Sequence, residues 1–298
     1  MKKFQFKKID AFATTNSDGN PAGYIRLNSQ LDISDSEMQQ IAKELKGFVN
    51  EVGYITQTSG KCFSLRFFSS EREVDFCGHA TIAIMYDLIK SEGSLQKLEV
   101  IEIETNRGKL SVENHILKED AVFIMSPVPI NKPMTLDMQD ISNALKISKN
   151  EIATKEMVSI INAGLTTLII PIKNLDAILQ ISPDLEELKD FCNRSEVDII
   201  EVWTSEVSNT MNSYRTRVFA PKFGYLEDPA TGSGNSAFGY YLIKNRKFEK
   251  ETLTIEQNAD RNRFNIIKIR KKIDSANNLR ILFGGGANTR IEGIYILQ

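Results

Sequence analysis

Short apolar runs of strand character dominate the chain. Phe4–Ala11, Ala22–Leu27, Gly53–Gln57, Cys62–Phe68, Leu98–Glu104, Lys109–Val112 and Ala121–Met125 are mostly rich in β-branched or aromatic residues and are bounded by turn residues. The second half repeats the style. It predicts strands over Met157–Asn162, Thr167–Ile172, Ile199–Trp203, Ser213–Phe219, Thr252–Ile255, Phe264–Arg270 and Leu279–Phe283. Asp35–Lys46 reads instead as a helix, with Met38, Ile41, Ala42 and Leu45 at helical spacing. Ser34 with Glu37 three residues later makes a capping box, Asp35 adds acid to the first turn, and Gly47 ends the helix. Asp184–Phe191 is a second helical stretch. Three prolines (Pro127, Pro129, Pro133) interrupt the pattern across Ser126–Pro133, which is the best boundary between two halves.

Two further helices have no polar face. Ala80–Lys90 (ATIAIMYDLIK) and Ser236–Lys244 (SAFGYYLIK) are apolar all round until their last turns. Such a helix must be wrapped by other structure, and strands are the only abundant wrapping here. Each is therefore expected to plug a curled sheet or barrel. Their approaches also match. Arg66-Phe67-Phe68 precedes Asp75-Phe76-Cys77-Gly78-His79-Ala80-Thr81. Arg217-Val218-Phe219 precedes Glu227-Asp228-Pro229-Ala230-Thr231-Gly232-Ser233-Gly234. A strand carrying Arg-x-Phe, an acidic turn and a small-residue helix entry recur half a chain length apart. A repeat that long suggests a duplicated domain rather than a solenoid.

Composition narrows the chemistry. The 298 residues suggest two domains or one large one. Hydrophobic residues make up 41% and charged residues 26%, so global disorder is not expected. With 37 basic and 39 acidic residues the net charge is -2, which gives no field for nucleic acid or anionic membranes. No apolar run approaches the roughly 18–20 residues that cross a bilayer. MKKFQFKKID lacks a signal-peptide apolar stretch, so secretion is not expected. The three cysteines, Cys62, Cys77 and Cys192, are odd in number, widely spaced and without a CxxC. They fit a reducing cytoplasm rather than a disulfide framework. The two histidines, His79 and His115, exclude a three-histidine catalytic zinc site. GxSxG, HExxH and GxxxxGK[ST] are all missing. Gly284-Gly285-Gly286-Ala287 follows an apolar run, but what comes after is too short for a dinucleotide fold. These glycines are expected to form a tight turn between strands.

The two helix entries are the best candidate site. A helix N-terminus carries unpaired N–H groups and partial positive charge, and Gly78 and Gly232–Gly234 let a ligand approach them. Two such ends converging would receive a small carboxylate. The alternative is that these glycines only permit tight helix–strand packing.

At these residues the chain resembles a known family. VDFCGHAT (Val74–Thr81) and EDPATGSGNSAFGYYL (Glu227–Leu242) resemble the signature motifs of the phenazine-biosynthesis isomerase-like (PhzF-like) family, which shares the diaminopimelate epimerase fold. Gly19-Asn20-Pro21-Ala22 resembles its GNP turn. Met38–Glu44 followed by Asn50-Glu51-Val52-Gly53-Tyr54 resembles its helix and Ser/Asn-Glu dipeptide. Gly285-Gly286-Ala287 with Glu292-Gly293 resembles its closing strand pair. The likeness covers essentially the whole chain, and the DPATGS run is its most specific part.

The resemblance implies an α+β fold of two pseudo-symmetric domains, each a β-barrel-like sheet wrapped around a central buried helix, with the active cleft between them. The C-terminus would return to the first domain, giving residues 1–125 with 284–298 and residues 126–283. It implies a homodimer with no metal, nucleotide or pyridoxal phosphate. The expected function is cofactor-independent isomerisation of a small anionic metabolite. The best understood member moves a proton within a cyclic hydroxy-amino acid, and the glutamate matching Glu51 is its proton carrier. Residues matching His79 and Asp228 bind or orient the substrate.

The residues can be weighed on their own terms. Glu51 stands between Asn50 and an apolar stretch, where partial desolvation would suit a group that accepts and returns a proton. Its alternative is a surface charge. The helix field favours a neutral His79 ring. Asp228 could bind an ammonium or hydroxyl, or cap the helix. Asn20, Gly78, Ala80, Gly232, Ser233 and Gly234 are substrate-binding candidates. In diaminopimelate epimerase two thiols work as a pair, but the position matching Cys77 holds Thr231 here. Two-thiol racemisation is therefore not expected, and Cys77 is expected to be a small buried hydrophobe. Two rival readings stay open: a catalytically silent ligand-binding or scaffold dimer, and an epimerase using Cys77 with Glu51. After Gln257 the chain departs from the family, with Asn258-Ala259-Asp260-Arg261-Asn262-Arg263 where a Gly and a Gly-Arg-Pro-Ser-like turn are usual.

Overall fold

The computed structural model describes all 298 residues, which form a mixed α/β fold built on a large sheet. They group into two compact units, Met1–Met125 with Gly284–Gln298, and Ser126–Phe283. In the first unit the order is β1 (Lys2–Ala11), β2 (Asn20–Leu27), α1 (Asp35–Glu44), β3 (Glu51–Ser59), β4 (Cys62–Ser69), the two-residue β5 (Glu73–Val74), α2 (Gly78–Ser91), α3 (Gly93–Gln96), β6 (Val100–Thr105), β7 (Gly108–Asn114), α4 (Ile116–Glu119) and β8 (Val122–Met125). A C-terminal strand, Ala287–Leu297, lies antiparallel to β1, which is antiparallel to β2. From there β2–β3 and β4–β6 pair in parallel, and β3–β4, β6–β7 and β7–β8 antiparallel.

Helix α2 touches β1, β2, β3, β8 and the C-terminal strand. These strands span the run from end to end, so the sheet curls around the helix. Ala80 to Met85 are all 0% exposed, which leaves no face for solvent. Their one polar side chain, Thr81, donates its hydroxyl to the Cys77 carbonyl at 2.6 Å. The enclosure needs a glycine on β3: a Cβ on Gly53 would stand 2.2 Å from Ile84 Cδ1. Helix α1 covers the other side of the sheet with Met38, Ile41 and Ala42 against Phe6, Ile25, Val52 and Tyr54. Its capping box forms as expected, Ser34 Oγ accepting from Glu37 N and the Glu37 carboxylate from Ser34 N. It ends at Glu44, two residues early, with Leu45 as C-cap and Gly47 at φ +81° beyond it.

The second unit contains β9 (Ile130–Lys132), α5 (Met138–Ala144), β10 (Ser159–Asn162), β11 (Thr166–Pro171), α6 (Leu175–Gln180), α7 (Leu185–Arg194), β12 (Ile199–Thr204), β13 (Tyr214–Phe219), the short β14 (Glu227–Asp228), α8 (Gly232–Lys244), β15 (Thr252–Gln257), β16 (Asn265–Ile273) and β17 (Leu279–Gly285). β11–β12 and β13–β15 are parallel, while β9–β10, β10–β11, β12–β13 and β15–β16 are antiparallel. Helix α8 touches β10, β11, β12 and β16, and Asn235 to Phe238 are fully buried. Helices α5 and α6, seven and six residues long, are absent from the expected elements. At less than two turns each, they are too short for the helical spacing to stand out from its surroundings.

Each unit carries an Arg-x-Phe strand with the same local build. In the first, Arg66 forks onto Glu73 of β5 (2.7 and 2.9 Å) and lies over the Phe68 ring. In the second, Arg217 forks onto Glu227 of β14 (3.0 and 2.8 Å) and lies over the Phe219 ring. In both, this bidentate pair fixes the short return strand that leads into the enclosed helix.

The glycine run near the C-terminus does not form the expected tight turn. Gly284 and Gly285 end strand β17, and after Gly286 the chain runs straight on into the C-terminal strand. The requirement at Gly284 is close approach, since a Cβ would meet the Val122 carbonyl oxygen at 2.1 Å.

Candidate functional site

The first cluster arises from strand register. β2 and β3 run parallel with Ala22 opposite Glu51, which sets Asn20 and Pro21 beside Asn50 and Glu51. Asn50 N donates to the Pro21 carbonyl at 3.2 Å, and Asn50 Nδ2 to Asn20 Oδ1 at 2.9 Å. Glu51 opens β3. Its side chain is partly buried, 22% exposed. After β4 and β5 the chain enters α2, with Cys77 as N-cap followed by Gly78, His79 and Ala80 in the first turn. The Cys77 side chain does not cap this end.

His79 Nε2 lies 3.2 Å from Glu51 Oε2. Burial pushes the His79 pKa down to about 4, against the smaller opposing effect of a ring hydrogen bond to the Pro21 carbonyl. The ring is therefore neutral near pH 7, as expected, although desolvation rather than the helix field is the leading cause. Cys77 is buried, as expected, and has polar neighbours. Its Sγ lies 3.6 Å from Glu51 Oε2 and 3.4 Å from His79 Nδ1. Oxygen, sulfur and nitrogen donors of Glu51, Cys77 and His79 all lie within 4.8 Å of one another, close enough to hold a metal ion.

The second unit has its own cluster at the α8 entry. Asp228 is buried in β14 and accepts the Thr231 hydroxyl at 2.5 Å. Thr231 is the N-cap of α8, but its side chain does not cap the helix. Gln257, at the end of β15, serves that end instead. Its Oε1 accepts Thr231 N at 3.0 Å and Asn235 Nδ2 at 2.8 Å, and its Nε2 donates to the Asp228 carbonyl at 2.8 Å. Neither Gln257 nor Asn235 was among the candidate residues. Asn235 offered a signal, an amide in the opening turns of a helix without a polar face, whereas Gln257 at the end of TLTIEQ offered none. Gly232 and Gly234 are held to glycine by packing. A Cβ would meet Phe283 at 2.3 Å and Glu201 Oε2 at 2.7 Å respectively. Ser233 between them stays partly exposed. The structure thus gathers Asn20, Glu51, Cys77, Gly78, His79 and Ala80 within the first unit, and Asp228, Gly232, Ser233 and Gly234 within the second.

Glu201 beneath α8 was also not anticipated. It is 0% exposed and neither carboxylate oxygen has a hydrogen-bond partner. Burial raises its pKa well above the ordinary carboxylate range, so it keeps its proton in the folded chain. In the unfolded chain it ionises above roughly pH 4.3, so its burial costs stability that grows as pH rises from there. Glu201→Gln keeps the shape and removes that linkage. The melting temperature of the variant relative to wild type is expected to climb by about 3 °C or more between pH 5 and pH 8. An offset independent of pH in thermal unfolding would contradict this.

The loop after Gln257 takes a form of its own. Asn258 sits at φ +124°, a region that favours glycine. It is held there by Arg215, whose Nη2 donates to the carbonyls of Asn258 (2.7 Å) and Asp260 (2.5 Å). Asn258 Nδ2 donates to the Arg263 carbonyl at 2.8 Å, which closes the loop.

Comparison with known proteins agrees with this build. A sequence model described as "Phenazine biosynthesis-like protein" (PhzC-PhzF) matches residues 9–293. A Bacillus subtilis protein named "Uncharacterized isomerase" is 28% identical over 264 residues, covering 87% of this chain and 88% of its own. A Clostridium acetobutylicum protein of the same description is 29% identical over 301 residues, covering 96% of each. A Schizosaccharomyces pombe protein named "Antisense-enhancing sequence 1" is 28% identical over 299 residues, covering 98% of this chain and 99% of its own. Among solved structures, a Bacillus anthracis phenazine biosynthesis protein of the PhzF family superposes with a TM-score of 0.85 over 100% of both chains at 23% identity. No helix is long and apolar enough to cross a membrane. With the match running through nearly every element described above, the chain belongs to the phenazine biosynthesis-like (PhzC-PhzF) family.

Proposed function

We propose that the protein is a cofactor-independent isomerase that shifts a proton within a small carboxylate-bearing metabolite. Glu51 is its general acid/base. The observation that carries this reading is the 3.2 Å contact between Glu51 Oε2 and a His79 ring that burial keeps neutral. The isomerase names of the relatives support the reaction class.

In this mechanism the Glu51 carboxylate takes a proton from carbon. One C–H bond breaks, an O–H bond forms on Glu51, and the electron pair moves into the adjoining unsaturated system. Glu51 then returns the proton to a second carbon on the same face. The backbone of Gly78, His79 and Ala80 at the N-terminal end of α2 receives the developing negative charge. Asn20 orders the strand that carries Glu51. The matched Arg-x-Phe elements support a duplication origin for the two units. A homodimer in a cytoplasmic setting belongs to the same proposal.

The alternative of an epimerase using Cys77 fits the distances poorly. Two acid/base groups working on opposite faces of one carbon each need about 3–3.5 Å to it, and so stand roughly 6–7 Å apart. Cys77 Sγ and Glu51 Oε2 are 3.6 Å apart.

The test is a panel of small amino and hydroxy acids, cyclic and open-chain, incubated with the protein in deuterated water. At least one bound compound is expected to take up carbon-bound deuterium. Binding without exchange across the panel would favour a silent receptor instead.

A further inference from the structure

We propose that Glu51, Cys77 and His79 form a binding site for a borderline-soft divalent cation of the zinc class, and that an ion bound there arrests proton transfer. The second half rests on the role proposed for Glu51.

The donor separations are close to those of a tetrahedral site. Zinc bonds of about 2.0 Å to nitrogen and oxygen and 2.3 Å to sulfur imply ligand–ligand edges of roughly 3.3–3.6 Å. Through His79 Nε2 the edges are 3.2 Å to Glu51 Oε2 and 4.0 Å to Cys77 Sγ, with 3.6 Å between Glu51 Oε2 and Cys77 Sγ, so only the nitrogen–sulfur edge has to shorten, by about 0.4 Å, when an ion binds. Three donors make one face of the tetrahedron and leave a fourth position for water or a ligand carboxylate. Thiolate, imidazole and carboxylate together suit zinc, whereas magnesium and calcium favour oxygen alone.

Charge is the apparent obstacle, because the N-terminal end of α2 repels a bare cation. Binding releases the thiol proton. The thiolate and the Glu51 carboxylate then offset the two positive charges, and the helix end favours the thiolate formed. The site is also held in advance. Cys77 is the N-cap and His79 the second residue of a helix that is fully buried from Ala80 to Met85, and Glu51 opens a strand paired on both sides. The ring hydrogen bond from His79 to the Pro21 carbonyl is the orienting contact that a metal-bound histidine makes. The other cysteines lie apart from the cluster, Cys62 at the start of β4 and Cys192 within α7.

Titration of the metal-free full-length protein with cobalt(II) tests the site directly. One equivalent is expected to give the thiolate-to-cobalt charge-transfer band and the visible bands of a tetrahedral ion, both erased by zinc. Cys77→Ala should abolish the charge-transfer band with Cys62 and Cys192 intact. Glu51→Gln should weaken cobalt binding at least tenfold, with circular dichroism confirming that each variant is folded. No band in the wild type, or a band that survives Cys77→Ala, would overturn the site and leave the Glu51 mechanism untouched. Zinc binding that leaves deuterium exchange running would overturn the arrest, and with it the role of Glu51.

Discussion

Glu51→Gln is expected to slow deuterium exchange by roughly 10²–10⁴-fold, the usual contribution of a positioned acid/base. The substitution is nearly isosteric. The amide keeps an oxygen toward His79 but cannot accept and return a proton at neutral pH. Binding of the exchanging compound should therefore change little, so the loss belongs in kcat rather than in KM. Folding should be unaffected, because position 51 stands at the start of β3 with its side chain partly open to solvent. Isotope incorporation followed by NMR separates the cases. Exchange within tenfold of wild type would remove Glu51 from the proton path, whereas weaker binding with unchanged turnover would make it a substrate contact only.

The largest effect on stability is expected at Arg215. Its side chain is 0% exposed and pairs with Glu256, also 0% exposed, at 3.0 Å. Burial pulls the Arg215 pKa down while the Glu256 carboxylate holds it up. Glu256 also accepts the backbone N–H groups of Ser208 and Asn209 and the amide of Asn212, and Arg215 ties down the loop at Asn258 and Asp260. The pair thus anchors two loops from one buried point. Arg215→Met strands a buried carboxylate and two carbonyls, at a cost of about 3–5 kcal/mol. Thermal unfolding should fall by roughly 10 °C. Hydrogen exchange should speed up in residues 208–212 and 258–263. Adding Glu256→Gln neutralises the stranded acid while keeping its acceptor oxygen, and should recover more than half of the loss. A double variant no better than the single one would contradict the charge argument.

The parts of this molecule that were legible in sequence are those with a local cause. The Ser34–Glu37 capping box, the alternating strands and the two helices without a polar face each follow from residues a few positions apart. Glu51 and His79 could be paired because their motifs mark them. What stayed hidden depends on partners distant along the chain. Gln257 caps α8 from a strand more than twenty residues away. The polarity around Cys77 comes from Glu51 across two strands. Gly284 looked like a turn residue because glycine signals both bending and crowding, and only the Val122 carbonyl shows which applies. Glu201 gave no sign at all, since an acid within IIEVWT reads as the solvent face of a strand.

The pairing of β1 with Ala287–Leu297 has a consequence for biosynthesis. A ribosome delivers the opening strand first and its neighbour only after every residue of the second unit has been made. During that interval the nascent first unit lacks one wall around its central helix, and Phe6 has β2 beside it but not yet the late-arriving edge. That wall closes late: the portion translated earliest is completed only when the final strand has been made.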